Sequence, residues 1–355
     1  YNNVIIGSGF SALILKKMMK NQSSIFSVLN SNNLKNENLI IRKNLNCNKF
    51  FSNYSPSIGS VNFIIKKGIF HDRLISGGNS GVWGGHINTS LISSKIINLI
   101  NKQKIVIQNL TFCKTGTESN NKYICQLQNS NGKIINSKDY IKNVQNYFIQ
   151  NLIIKKKKIF LKAINLNKLK EETFRVKKLF LCLGTVQFID LLYRSKYIKE
   201  NDIIEFSEFK HNFFVRFVKS NYLKNTNTVR YSFCRAIGHF FGIQSFNKIL
   251  KFFCFIPIYI DQVFYKKKLN YKLILKGNKL IEKKTNNTLK NFGSSIHYCN
   301  MKINGEEASK YLKKLNKNIE CFGMSFVNQK IPGPISNDII TDIDKKLNSM
   351  KLKNN

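Results

Sequence analysis

Val4-Ile5-Ile6-Gly7-Ser8-Gly9-Phe10-Ser11-Ala12-Leu13-Ile14-Leu15 stands at the head of the chain, and its reading decides the fold. Val4, Ile5 and Ile6 are an apolar β-branched run, which predicts a buried parallel strand. Leu13, Ile14, Leu15 and Met18 then fall at helical spacing. A glycine turn between a strand and a helix is the context in which G-x-G-x-x-G/A points to dinucleotide binding. Gly7 permits the tight turn, Gly9 lets a pyrophosphate approach the backbone, and the small Ala12 lets the helix pack on the strand. Ser8, Phe10 and Ser11 complete the loop. The helix N-terminus offers N–H groups and a positive dipole end to phosphate. The expected fold is α/β, with a Rossmann-like βαβ domain at its start.

Residues 24–29 predict the second strand of that domain. In this architecture an acidic residue usually ends it and takes the ribose hydroxyls; here Asn30 stands in that place, and an amide holds a hydroxyl more weakly than a carboxylate does. Residues 32–67 are polar and irregular and read as a loop. A second glycine cluster follows, Gly77-Gly78-Asn79-Ser80-Gly81-Val82-Trp83-Gly84-Gly85-His86, and it holds the single tryptophan of the chain. Glycines at this density mark backbone that passes close to something or takes positive φ, so the stretch reads as a ligand-contacting loop. Residues 105–107, 122–127, 147–154 and 158–164 read as strands, with Asn131-Gly132 as a hairpin turn. Residues 178–184 are a strand ending in glycine, followed by a helix over 186–193.

The formal net charge of +39 would suit nucleic acid or an anionic membrane surface. The lysines are spread over every segment, and no nucleic-acid motif accompanies them. That is the mark of coding DNA rich in A and T, and a specific nucleic-acid partner is not expected. Eight cysteines are scattered without a C-x-x-C pair, which argues against a zinc site or a disulfide framework and for reduced thiols in a cytoplasmic protein. No metal site is expected. The chain opens inside a strand, which leaves a preceding leader open. No run has the length of a membrane span; the nearest, residues 249–265, is broken by Lys251, Pro257 and Asp261. Residues 213–290 are rich in Phe and Tyr, enough for a substrate-domain sheet. Part of 247–268, capped by Lys266-Lys267-Lys268, is the alternative: a peripheral contact with an anionic membrane.

Four motifs in order carry a resemblance: GSGFSA at 7–12, GGNSGVWGG at 77–85, LFLCLGT at 179–185 and SSIH at 294–297. Together they resemble the glucose-methanol-choline oxidoreductase superfamily, and in particular its shorter bacterial relatives found with polysaccharide biosynthesis. The resemblance implies FAD as cofactor. It implies an FAD-binding domain from residues 1–100, 150–212 and 291–355, a strand meander at 101–149, and a substrate-binding domain at 213–290. Gly77, Gly78, Asn79, Ser80, Trp83, Gly84 and Gly85 would lie along the flavin ribityl and ring, and Gly184 with Thr185 near the cofactor phosphates. His211 resembles a structural histidine of the family.

His297 carries the sharpest chemical expectation. Oxidation of an alcohol needs a base for the hydroxyl proton, and histidine titrates near the working pH. In the family this late histidine faces the flavin, and a His or Asn partner follows at an interval like that from His297 to Asn337. Ser336 reads as the N-cap of a helix whose Ile339, Ile340, Ile343 and Leu347 share one face. Gly323 stands where the family has an aspartate. The substrate expected is a sugar, polyol or other alcohol, with oxygen, a quinone or another protein as electron acceptor. The alternative is a degenerate, non-catalytic relative acting as a nucleotide-holding scaffold. A nicotinamide-only dehydrogenase is disfavoured, since it has no use for the 77–85 loop.

Overall fold

The computed structural model describes residues 1–19, 24–27, 46–48, 57–59, 62–64, 85–110, 116–141, 143–240, 256–282 and 298–352. β1 (Asn3–Ile6) is the predicted first strand, and α1 (Phe10–Met18) follows it directly. Val4, Ile5 and Ile6 are all fully buried, so both faces of β1 are covered, as a continuous β-branched run requires. β2 (Ser24–Ser27) lies parallel to β1.

The stretch read as a loop holds strands. β3 (Asn46–Asn48) pairs antiparallel with β4 (Ser57–Gly59), and β5 (Asn62–Ile64) pairs with a strand far along the chain. Strands of three residues are too short to show a hydrophobic period, and only their partners define them. β6 (His86–Asn88), α2 (Ser94–Asn101), β7 (Val106–Asn109), β8 (Thr117–Ser119), β9 (Ile124–Gln128) and α3 (Ser137–Tyr140) come next. β6, β9 and β7 form a three-stranded antiparallel sheet. The Asn131-Gly132 turn is present, with Gly132 at φ +71°, but the returning segment makes one bridge, Gln128 to Ile134.

β10 (Val144–Lys155), β11 (Lys158–Asn165) and β12 (Lys170–Val176) run antiparallel, and β13 (Lys178–Leu181) leads into α4 (Thr185–Arg194). Then come β14 (Ile203–Arg216), β15 (Asn227–Ser232), α5 (Phe233–Phe240), β16 (Tyr259–Lys276), β17 (Lys279–Glu282), β18 (Cys299–Ile303) and β19 (Glu306–Glu307). α6 (Ala308–Leu315), β20 (Ile319–Cys321) and α7 (Ser336–Leu352) complete the described elements.

Two large sheets result. The first is ordered β12-β11-β10-β2-β1-β13-β20, and its strands from β10 through β2, β1 and β13 to β20 are parallel. The second is ordered β19-β18-β14-β16-β15-β8, with β17 on β16 and β5 on β17. Side-chain alternation along β1 and β13 decides what covers each face of the first sheet. Ile5 and Phe180 join the cluster of α1 and α7, while Val4, Ile6, Leu179 and Leu181 join that of α4. The α4 cluster runs on into Phe206, Tyr271, Leu273 and Met301 of the second sheet. Among the described residues no helix is long and apolar enough to cross a membrane.

The second sheet buries charge. Arg230 donates through Nε to Asp261 Oδ1 at 2.6 Å and through Nη2 to Oδ2 at 2.8 Å, and its Nη1 lies 3.4 Å from Glu118. Its side chain is 1% exposed and that of Asp261 is 3% exposed. Removing one partner of such a pair strands the other in low dielectric. Arg230→Ala should therefore cost about 3–5 kcal/mol in urea unfolding, and replacing Asp261 by Leu as well as Arg230 should recover most of it.

Candidate functional site

The first sheet brings three turns together at the carboxyl ends of β1, β13 and β20, which are neighbours. Gly7 leaves β1 at φ +108°, and a methyl group on it would lie 2.4 Å from the carbonyl oxygen of Cys182. Glycine is required there on both counts. Cys182 N–H continues the ladder to the Ile6 carbonyl at 2.8 Å, and Phe322 N–H does the same to Leu181 at 2.8 Å. In the third turn Gly323 takes φ +114°, and a methyl there would lie 2.9 Å from Ser11 Oγ. A side chain at 323 would therefore be strained by the positive φ and would have to turn the Ser11 hydroxyl aside.

Two helices start from these turns. Gly9 precedes α1 at φ −75° and ψ −173°, and Gly184 precedes α4 at φ −65° and ψ 162°. Neither supplies a side-chain cap hydrogen bond, and neither helix has an acidic residue in its first turn. At these two positions glycine serves by lacking a side chain: no oxygen of its own satisfies the first N–H groups of the helix. Each helix start carries a partial positive charge, so the turns present an anion-seeking edge of the sheet. It lies where strand order diverges, with β2 on one side of β1 and β13 on the other, the place where open α/β sheets bind ligands.

The predicted residues fall as follows. Ser8, Phe10, Ser11 and Ala12 are buried at the first of these turns. Thr185 is buried, and its hydroxyl is already engaged: it donates to the Tyr298 carbonyl at 3.2 Å and lies 2.8 Å from the Ser325 hydroxyl. Gly85, at φ +65°, is shaped by packing, since a methyl there would lie 2.6 Å from Ile134 Cγ2. Asn30, Gly77, Gly78, Asn79, Ser80, Trp83, Gly84 and His297 lie outside the described residues. Ser336 is the first residue of α7 and not its cap; Ile339 N–H bonds the Ile335 carbonyl, which places the cap at Ile335. Asn337 is 3% exposed, and its Oδ1 has no hydrogen-bond donor, while Nδ2 reaches Asp338 Oδ2 at 3.5 Å. Ser325 and the carbonyl of Cys182 escape sequence reading. Their one signal is that Ile319–Cys321 is a third strand running out to a glycine, like Ile6-Gly7 and Leu183-Gly184.

Leu191-Leu192-Tyr193-Arg194-Ser195 proves to be a clamp. Arg194 Nε donates to Asp190 at 2.8 Å and Nη1 to the Ile149 carbonyl at 2.7 Å, and Ser195 Oγ accepts the Leu152 N–H at 2.8 Å. The end of α4 is thereby tied to the bulge of β10 between Ile149 and Asn151. His211 is buried within β14, its ring 5.9 Å from that of Phe264.

No family model matches the chain, and no curated protein matches it. Among solved structures, the substrate-free form of the rebeccamycin biosynthetic enzyme REBC is similar at 7% identity and a TM-score of 0.38, over 96% of this chain and 61% of that one. An oxidoreductase from Methanosarcina mazei is similar at 8% identity and 0.33, over 98% of this chain and 100% of that one. The glycerol-3-phosphate dehydrogenase from Bacillus halodurans complexed with FAD is similar at 10% identity and 0.26, over 75% and 48%. The chain thus spans less than two thirds of the first and last of these. TM-scores this low do not establish a shared fold, and the site rests on its own residues.

Backbone and burial each set an outcome here. Gly7→Ala should cost roughly 2–5 kcal/mol in urea unfolding, from left-handed strain and backbone overlap together. Gly277→Ala, at φ +57° with nothing within 4 Å, should cost only about 1–2 kcal/mol. Burial pushes the Asp338 carboxyl from 3.8 up to about 6. The folded chain then holds this proton more tightly than the unfolded chain, so the stability contribution is full below about 3.8 and is lost as pH rises through about 6. Asp338→Asn should flatten the unfolding profile across that window.

Proposed function

We propose that the chain is an FAD-dependent oxidoreductase acting on the CH–OH group of a sugar, polyol or other alcohol. One observation carries the reading: two helix N-termini preceded by glycine, both without side-chain caps, rise from neighbouring parallel strands at the point where strand order diverges. The residues present fit a dinucleotide. Gly9 and Gly184 bring no side chain to the two helix starts, and the first N–H groups of α1 and α4 would hold the pyrophosphate. By the resemblance to glucose-methanol-choline oxidoreductases, residues 77–85 would lie along the ribityl chain.

FAD, when bound, supplies a two-electron acceptor for the hydride of the alcohol carbon. His297 would take the hydroxyl proton. Thr185 anchors the chain one residue after it, through the Tyr298 carbonyl. Asn337 would offer its unpartnered Oδ1 to the substrate hydroxyl, since a buried acceptor without a donor costs about 1–3 kcal/mol until something fills it.

The purified protein should show a flavin absorption spectrum and release FAD on heating, and an alcohol substrate should bleach that spectrum without oxygen. His297→Ala should keep the bound flavin and slow alcohol-dependent bleaching by about 10²–10⁴-fold. A colourless protein that takes up no added FAD would sink the reading.

A further inference from the structure

Phe213, Val215, Phe217 and Val218 are 40, 60, 71 and 67% exposed, and Leu223 in the same loop is 39% exposed. Burying any of them would contribute about 1.5–3 kcal/mol, so five together on the outside call for a partner. Alternation along β14 places His211, Phe213 and Val215 on one face of the second sheet. Phe264 covers that face at His211. Toward the end of the strand Phe213 and Val215 are exposed. β14 pairs with β16 through Arg216.

The polar residues of the tip hold its frame. Arg216 reaches Asp261 at 3.8 Å, Lys219 reaches Glu118 at 3.1 Å, and Tyr222 donates to Glu118 at 2.6 Å. The apolar residues between them are left outward. The loop is thus fixed at its base by ion pairs and apolar at its crest.

Charge selects the partner. The chain carries +39, so two copies repel each other, whereas an anionic bilayer gains about 1 kcal/mol for each Lys or Arg near it. Exposed Lys219 and Lys224 lie on the loop. A nucleic-acid backbone would use these lysines but has no place for Val215, Val218 and Leu223. Aromatic and aliphatic crests flanked by lysine match the boundary between headgroups and acyl chains.

We propose that the tip of Phe213, Val215, Phe217, Val218 and Leu223 docks on an anionic phospholipid membrane, with Phe217 and Val218 entering the headgroup–acyl boundary. The test is co-sedimentation of the full chain with mixed phosphatidylcholine–phosphatidylserine vesicles. Phe217→Ser with Val218→Ser leaves the charge unchanged and, at exposed positions, the fold intact. This double variant should bind the vesicles about tenfold or more weakly than the parent. The emission that Phe217→Trp adds to that of the parent should shift to the blue when the vesicles are added. Equal binding by the double variant would show charge attraction alone and overturn the proposal. So would an unshifted emission from the Phe217→Trp variant, a parent dimer in light scattering that the double variant dissolves, or a loss confined to single-stranded RNA binding.

Discussion

The seating of the Gly7 turn on the Cys182 carbonyl is the contact on which the rest of the first sheet depends. Here two backbones meet with no side chain between them. That closeness lets β1 and β13 stay in register from Asn3 opposite Lys178 to Ile6 opposite Leu181, with one more hydrogen bond beyond the last pair. α1 and α4 then begin just beyond strands that are already aligned. Their positive ends open on the same edge of the sheet. A side chain at position 7 would push the two exits apart and separate the two helix starts.

The same pair of strands also links these turns to the second sheet. Alternate side chains of β1 and β13 face opposite layers: Ile5 and Phe180 meet α1 and α7, and Val4, Ile6, Leu179 and Leu181 meet α4. Through α4 the core continues into β14, β16 and β18. Thr185 makes the polar counterpart of that link, since its one hydroxyl touches both the turn after β20 and the chain entering β18. The turns therefore sit between two sheets that share a core.

Charge is distributed by scarcity. With 19 acidic residues against 58 Lys and Arg, four carboxylates among the described residues, Asp190, Glu208, Asp261 and Glu320, are buried. Asp261 is consumed by Arg230, Asp190 by Arg194, Glu320 by Lys313, and Glu208 accepts the Tyr271 hydroxyl. A buried cation without an acid is costly, and the buried Arg230 is met by the buried Asp261.

The parts of the fold legible in the sequence are those with a local cause. Three β-branched residues buried on both faces, a glycine needed for positive φ, and apolar residues at helical spacing are properties of a few neighbours, so β1, Gly7, α1, β13 and α4 could be read directly. β3, β4 and β5 could not, because a three-residue strand exists only through its partner. Nor could the engagement of the Thr185 hydroxyl, which depends on Tyr298 and Ser325, 113 and 140 residues away. The same holds for the start of α7, where a serine in a capping context turned out to be the first helical residue. The sequence by itself determined that a glycine-turned βαβ unit opens the chain, since backbone sterics at Gly7 admit little else. Only the tertiary structure decided which three turns meet, that Gly323 lies against Ser11, and that Phe217 and Val218 face outward, because each of these depends on distances between segments that are far apart in the chain.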